Sequence, residues 1–252
     1  MKKKPTTTLP LRLELEYMLD QRRLMRQLEW FTVASVSKFT EDQRQDSPGL
    51  QAFLKMSAPE ILDEQRLRRR LRYLATTLST QKLRELRALL GRRVSAPAPG
   101  LIDRWIDDQV AAIQATVEQW VATSTAKIAT AQATATPIPE MVGQLTAMAS
   151  ELAGRAEARA SFRLLQLNSQ MIEEAAKGAG STHYRWITEL DSRVRENHQE
   201  EPSGYARHGK IYAWNSPPMG GGTRAADLGH PGSGYGCRCL AEPLPARSLP
   251  AP

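Results

Sequence analysis

The stretch Ile102–Ile128, IDRWIDDQVAAIQATVEQWVATSTAKI, decides how the chain is read. Ile102, Ile106, Val110, Ile113, Val117, Val121, Ser124 and Ile128 recur every three or four residues, the spacing that returns to one side of an α-helix. Trp105 and Trp120 flank that stripe. A strand would alternate at every second residue, so the spacing predicts a long helix with one face packed in a core.

On the N-terminal side of this helix, Pro97-Ala98-Pro99-Gly100 predicts a linker or turn, because each proline lacks a backbone donor and restricts the residue before it. Farther upstream, Leu13, Tyr17, Leu24, Leu28 and Phe31 predict a helix over Leu11–Phe31 with a polar break around Gln21. The Ser47-Pro48-Gly49 turn signal precedes a short helix over Leu50–Met56, and Ser57 with Pro59 supplies the start of another. That helix carries Leu67, Leu71, Leu74, Leu78, Leu83, Leu86 and Leu90 on one side and runs to Gly91, with a break expected near Thr76–Thr80. On the C-terminal side, Pro137 and Pro139 interrupt an Ala/Thr-rich segment. Met141–Lys177, rich in Ala, Leu, Glu, Arg and Gln, is again predicted helical, and Gly178 and Gly180 end it.

The character of the sequence changes after Gly180. Most of the glycines, all four histidines, both cysteines and two of the five tryptophans fall in this remainder, where helical spacing fades. Ile211–Trp214, IYAW, is short and aromatic and predicts a strand, followed by a loop over Asn215–Gly222. The predicted fold class is α+β: a mainly helical N-terminal region, residues 1–150, with a small mixed α+β C-terminal domain, 151–245, and a flexible tail, 246–252.

At 252 residues, with 41% apolar and 24% charged residues, the chain is large and apolar enough to bury a core and is not a disordered polymer. The opening MKKKPTTTLP lacks the apolar stretch of a secretory signal, and no apolar run approaches the roughly 20 residues of a membrane span. No membrane partner is expected. Cys237 and Cys239, one residue apart, suit a reducing compartment better than a disulfide framework, which implies synthesis in the cytoplasm.

The net charge of +7 favours an acidic partner. Much of the excess lies in residues 60–93, where ten Lys/Arg residues, including Arg66, Arg68, Arg69, Arg70, Arg72, Arg84, Arg87, Arg92 and Arg93, face only four acids. Two readings of this segment stand: a phosphate-contacting surface with steep salt dependence, or a solvated or partner-facing helix surface.

The ordered strings AEARASFRLLQLNSQ (156–170), HYRWITELDSRVRENHQ (183–199), GKIYAWNSPP (209–218) and GHPGSGYGCRC (229–239), then Leu240-Ala241-Glu242-Pro243, resemble the phage Mu F-like head-morphogenesis family. The resemblance covers roughly residues 151–243 and rests on the order and spacing of the blocks. Trp186, Asp191, Arg193, Arg195 and His198 occupy the first tryptophan block, Gly209 and Trp214 the middle one, and His230, Pro231, Gly234, Cys237, Arg238 and Cys239 the last. An insertion between His198 and Gly209, and Gly220-Gly221-Gly222, depart from the compact pattern. The resemblance implies a minor head protein in the virion, in the head interior or at the portal vertex. It further implies portal, capsid or scaffolding protein as partners, a role in assembly or DNA delivery, and no enzymatic reaction. Residues 1–150 would then be the portal- or capsid-docking region.

His198, His230, Cys237 and Cys239 offer two imidazoles and two thiolates, a donor set suited to tetrahedral zinc, although Cys-x-Cys is tighter than the usual bite. The competing reading makes the cysteines buried, reduced packing residues of a terminal strand. Trp186, Asp191, Arg193, Arg195 and Arg238 read as a structural network, with acyl or phosphoryl chemistry at Asp191 and its arginines as the minor alternative. Neither H-x-E with P-C-x-x-C nor G-x-x-x-x-G-K-[ST] occurs, which removes the zinc-deaminase and P-loop motor classes. The alternative function is a DNA-binding or metal-dependent nucleolytic accessory protein.

Overall fold

The computed structural model describes residues 9–41, 47–57, 59–91, 94–188, 207–218, 229–234 and 237–245. Five helices precede a small sheet among them: α1 (Leu11–Glu41), α2 (Ser47–Ser57), α3 (Glu64–Leu90), α4 (Pro99–Ala133) and α5 (Ile138–Gly178), then β1 (His183–Ile187), β2 (Ile211–Ala213) and β3 (Leu240–Pro243). This is the expected α+β architecture. None of the helices among the described residues is long and apolar enough to cross a membrane.

Several local expectations shift. α1 runs unbroken through Gln21, which is buried on the same side as Tyr17 and Met25. Residues Pro59–Ile61 form only a 3₁₀ turn, and α3 starts later, where the Asp63 carboxylate accepts the amide of Arg66 as an N-cap. α3 is continuous across Thr76–Thr80, because the Thr80 hydroxyl donates back to the carbonyl of Thr76 rather than opening the helix. Pro99 belongs to the first turn of α4, the position where its missing donor is harmless. Trp105 and Trp120, read as flanking the α4 stripe, are themselves buried.

Two helix ends show how the chain is punctuated. At the end of α5 the amide of Ser181 bonds the carbonyl of Ala176 and that of Gly180 bonds Lys177, a Schellman cap with Gly180 at φ +82°. The same pattern ends α4: Thr136 bonds Ala131 and Ala135 bonds Gln132. There the left-handed residue is Ala135, at φ 53°.

The chain divides into two compact units that are discontinuous in sequence. One comprises residues 15–71 and 106–161, and its described secondary-structure elements are all helices. Its core joins Met25, Leu28 and Val36 of α1 with Leu50 and Leu54 of α2, Val117, Trp120 and Ile128 of α4, and Met141, Leu145 and Met148 of α5. The polar edges of this core are paired, with Trp120 Nε1 donating to Thr32 Oγ1 at 3.0 Å and the Tyr17 hydroxyl to Gln109 Oε1 at 3.2 Å. The other unit comprises residues 1–14, 72–105 and 162–252 and contains the sheet. β1 is its central strand, antiparallel to both neighbours in the order β2-β1-β3, with Tyr184 opposite Tyr212 on one side and Trp186 opposite Ala241 on the other.

Candidate functional site

β1 alternates as a half-buried strand must: Tyr184 and Trp186 point inward and Arg185 outward. The inward pair joins Trp214, Cys237, Cys239, Ala241 and residues Ile172, Ala175 and Ala176 of α5 in one cluster. Tyr184 meets the Trp214 ring at 4.4 Å between centroids and the His230 ring edge-on at 5.4 Å. Trp186 is covered by the Arg207 guanidinium, 4.9 Å from the ring centroid, and Arg207 is itself buried.

Strand ends are tied as firmly as the centre. The Ser181 hydroxyl lies between the carbonyls of His183 and Leu244, at 2.9 and 2.8 Å, and Trp214 Nε1 donates to its oxygen at 3.3 Å. Gly209 takes a positive φ of +77° where its amide reaches the carbonyl of Trp186 at 2.7 Å, so this position of the family pattern is a turn that requires glycine.

His230 stands between the last loop and α5. Its Nδ1 lies 3.2 Å from the Tyr184 hydroxyl, and its Nε2 lies 3.5 Å from Glu173 Oε1. Burial lowers its pKa, Glu173 opposes that effect and Lys177 adds to it, so the neutral ring is favoured. Burial raises the Tyr184 phenol above its ordinary range, so it stays protonated. With Tyr184 buried and His230 and Glu173 partly exposed, the Glu173–His230–Tyr184 chain ties a loop to a helix.

Both cysteines are reduced and buried. The amide of Gly232 donates to Cys237 Sγ at 3.4 Å. Hydrogen bonding with Cys237, and then burial, holds the Cys239 thiol far above its ordinary range, so it remains protonated. Among the described residues no three His, Cys, Asp or Glu side chains converge as a metal ion would require. The ring nitrogens of His230 are directed at Tyr184 and Glu173. His198 lies outside the described residues, as do Asp191, Arg193 and Arg195. Of the expected network, Trp186 is in the core and Arg238 is partly buried.

The basic segment separates into two groups. Arg68 bonds Glu64 at 2.7 Å and Asp107 at 2.6 Å, while Arg70 bonds Asp20 at 2.7 Å and Glu16 at 3.0 Å. Arg72 bonds Asp103 at 2.8 Å, and Arg87 Nε donates to the carbonyl of Val94. These four have partners within the fold. Arg66, Arg69 and Arg84 are exposed, and Arg92 and Arg93 lie outside the described residues.

Three contributors were not singled out from sequence: Arg207, Glu173 and Gly232. Gly232, with φ +80°, sits against α5 so closely that a Cβ there would fall 2.2 Å from Ser169 Oγ and 3.4 Å from the carbonyl oxygen of Cys239. The contact with a residue 63 positions earlier has no local signal in the sequence.

The described residues thus form a three-stranded sheet packed on α5 around Tyr184, Trp186, Trp214, Cys237 and Cys239. Residues 107–242 match the model of the phage Mu protein F like protein family, and the chain belongs to that family of phage head-morphogenesis proteins. The match extends N-terminally beyond the resemblance read from sequence, taking in most of α4. An uncharacterized protein of Haemophilus influenzae is 32% identical over 104 residues, covering 40% of this chain and 20% of that protein. The chain thus spans about a fifth of the length of that relative. No solved structure matches.

Proposed function

We propose that the protein is a minor head protein of a tailed bacteriophage, incorporated during head assembly through contacts with portal, capsid or scaffolding protein. The family match over residues 107–242 carries this reading. The inward orientation of Tyr184, His230, Cys237 and Cys239 agrees with a module that organises surfaces and does no chemistry. The engagement of Arg68, Arg70 and Arg72 by carboxylates favours assembly contacts over phosphate binding as the use of the basic segment. In this reading the protein resides in the virion after synthesis in the host cytoplasm, and a role in DNA delivery follows from a portal-proximal position.

Mass spectrometry of proheads and mature particles from the phage that encodes the chain tests the proposal. It is expected in both at substoichiometric levels relative to the major capsid protein, and absence from both overturns the assignment. A divalent-metal-dependent cleavage of duplex DNA by the purified chain, lost in both Asp191→Ala and His198→Ala, would instead establish the nucleolytic alternative.

A further inference from the structure

α1 carries a second stripe that its own unit does not cover. Within the unit formed by residues 15–71 and 106–161, Leu15 and Leu19 are nearly half exposed and Trp30 is 74% exposed. With Arg22, Arg23 and Arg26 they recur at helical spacing on one side, spanning about 22 Å of helix axis. A tryptophan held in solvent on a regular helix is unusual, and tryptophan and arginine are the residues most enriched at binding hot spots.

Charge is sorted around the same helix. Glu16 and Asp20 bond Arg70 of α3, Asp20 also lies 3.8 Å from Arg23, and Arg22 is paired with Glu157 of α5. Glu29 is half-buried, and among the described residues the exposed charges of α1 in this unit outside those bonded pairs are the cations Arg23, Arg26 and Lys38. Beside the stripe runs a groove of about 320 Å³ lined by Arg22, Met25, Arg26 and Glu29 of α1 and by Ala149, Ala153, Gly154 and Glu157 of α5, with Arg22 bonded to Glu157 at 2.6 Å across it. A Cβ built on Gly154 meets nothing within 4 Å, so the groove has room for an incoming side chain.

We infer that this stripe and groove are the docking surface for an acidic amphipathic helix of another head protein. That the partner is a head component rests on the function proposed above; the chemistry of the surface does not. Leu15, Leu19 and Trp30 supply apolar anchors, Arg23 and Arg26 select glutamate or aspartate, and the groove takes a knob from the partner helix. A second copy of this chain would bring like charge against like. Phosphates would leave the leucines uncovered, and lipid would require a continuous apolar face where this helix has Arg22, Arg23, Arg26 and Gln27.

The test uses the full chain and a fluorescent, capped peptide of about 20 residues, long enough to hold a helix, with leucines on one face flanked by glutamates. Its counterpart replaces every glutamate by lysine. Anisotropy should show the acidic peptide binding at least about tenfold more tightly than the lysine version, with Trp30→Ala and Arg23→Glu/Arg26→Glu each weakening it by about tenfold or more. Gly154→Leu, which fills the groove from an exposed helical position, should weaken it comparably while circular dichroism stays unchanged. Equal binding of the two peptides, or indifference to all three variants, overturns the inference. So does tighter binding of a single-stranded oligonucleotide, of anionic phosphatidylserine vesicles or of a second copy through Trp30. A photo-crosslinker at Trp30 in assembled heads should then capture an acidic segment of a head protein, and capture of DNA, lipid or the chain itself counts against it. Absence of the chain from heads defeats the head-protein reading and leaves the peptide result to decide this one.

Discussion

Gly232→Ala should be among the most damaging single-methyl additions in the protein. The φ of +80° places the residue in the left-handed region, which costs an L-residue about 1–2 kcal/mol. The added carbon would stand 2.2 Å from Ser169 Oγ and 3.3 Å from Ser169 Cβ, forcing α5 and the loop apart or twisting Ser169, an overpacking penalty of about 1–3 kcal/mol. Reduced freedom of the unfolded chain returns about 0.4–1 kcal/mol, leaving a net loss of about 3 kcal/mol. In a Ser169→Ala background the closest contact disappears while the backbone strain remains, so the loss should fall to about 2 kcal/mol, a coupling of about 1 kcal/mol. Urea unfolding followed by near-ultraviolet circular dichroism reports the packing of Trp186 and Trp214 directly. Gly143→Ala is the control, since it lies in α5 with nothing within 4 Å of a new Cβ and should gain up to about 1 kcal/mol. A Gly232→Ala loss below about 0.5 kcal/mol, or a loss unchanged by Ser169→Ala, refutes the close-packing argument.

Three further outcomes are expected. Ala135→Gly relieves the left-handed C-cap of α4 and should raise stability by about 0.5–1 kcal/mol in thermal or urea denaturation, whereas a loss would mean that the Ala135 methyl packs usefully. His230 has a folded-state pKa below its unfolded value, so the unfolded chain binds more protons between the two; stability is full above about pH 6.5 and declines as pH falls through that window toward the folded pKa. His230→Gln should flatten that part of the stability profile, and an unaltered slope would remove His230 as its cause. Because His230 Nδ1 and Nε2 face Tyr184 and Glu173, untagged protein should carry no stoichiometric zinc by plasma emission analysis and should melt alike with and without EDTA. One zinc per chain, with a lower melting temperature on chelation, would show that the donors rearrange around metal.

The helices were legible because their signals are short-range. The α4 stripe, the Gly180 stop and the leucines of α3 are repeats within a few residues, and each lies in an observed helix or at its end. Predicted breaks at Gln21 and Thr76–Thr80 failed for a related reason: a polar residue inside a helix interrupts the pattern without interrupting the backbone if it is packed, as Gln21 is, or bonded to the preceding turn, as Thr80 is. IYAW was readable as a strand, but HYRWI was not, since β1 becomes central only by pairing with residues 211–213 and 240–243.

The family blocks located the candidate site without revealing its roles. Both histidine nitrogens of His230, the thiols of Cys237 and Cys239 and the face of Trp186 are engaged by partners that no spacing announces, among them Glu173, Gly232 and Arg207. The arginines of residues 60–93 likewise read as free charge until Asp20, Asp103 and Asp107 met Arg70, Arg72 and Arg68 in space. By itself the sequence determined the helical period, the change of character after Gly180 and the family. Only the tertiary structure decided which charges are neutralised, which remain exposed on α1, and why Gly232 must be glycine, because desolvation, ion pairing and close approach depend on neighbours distant along the chain.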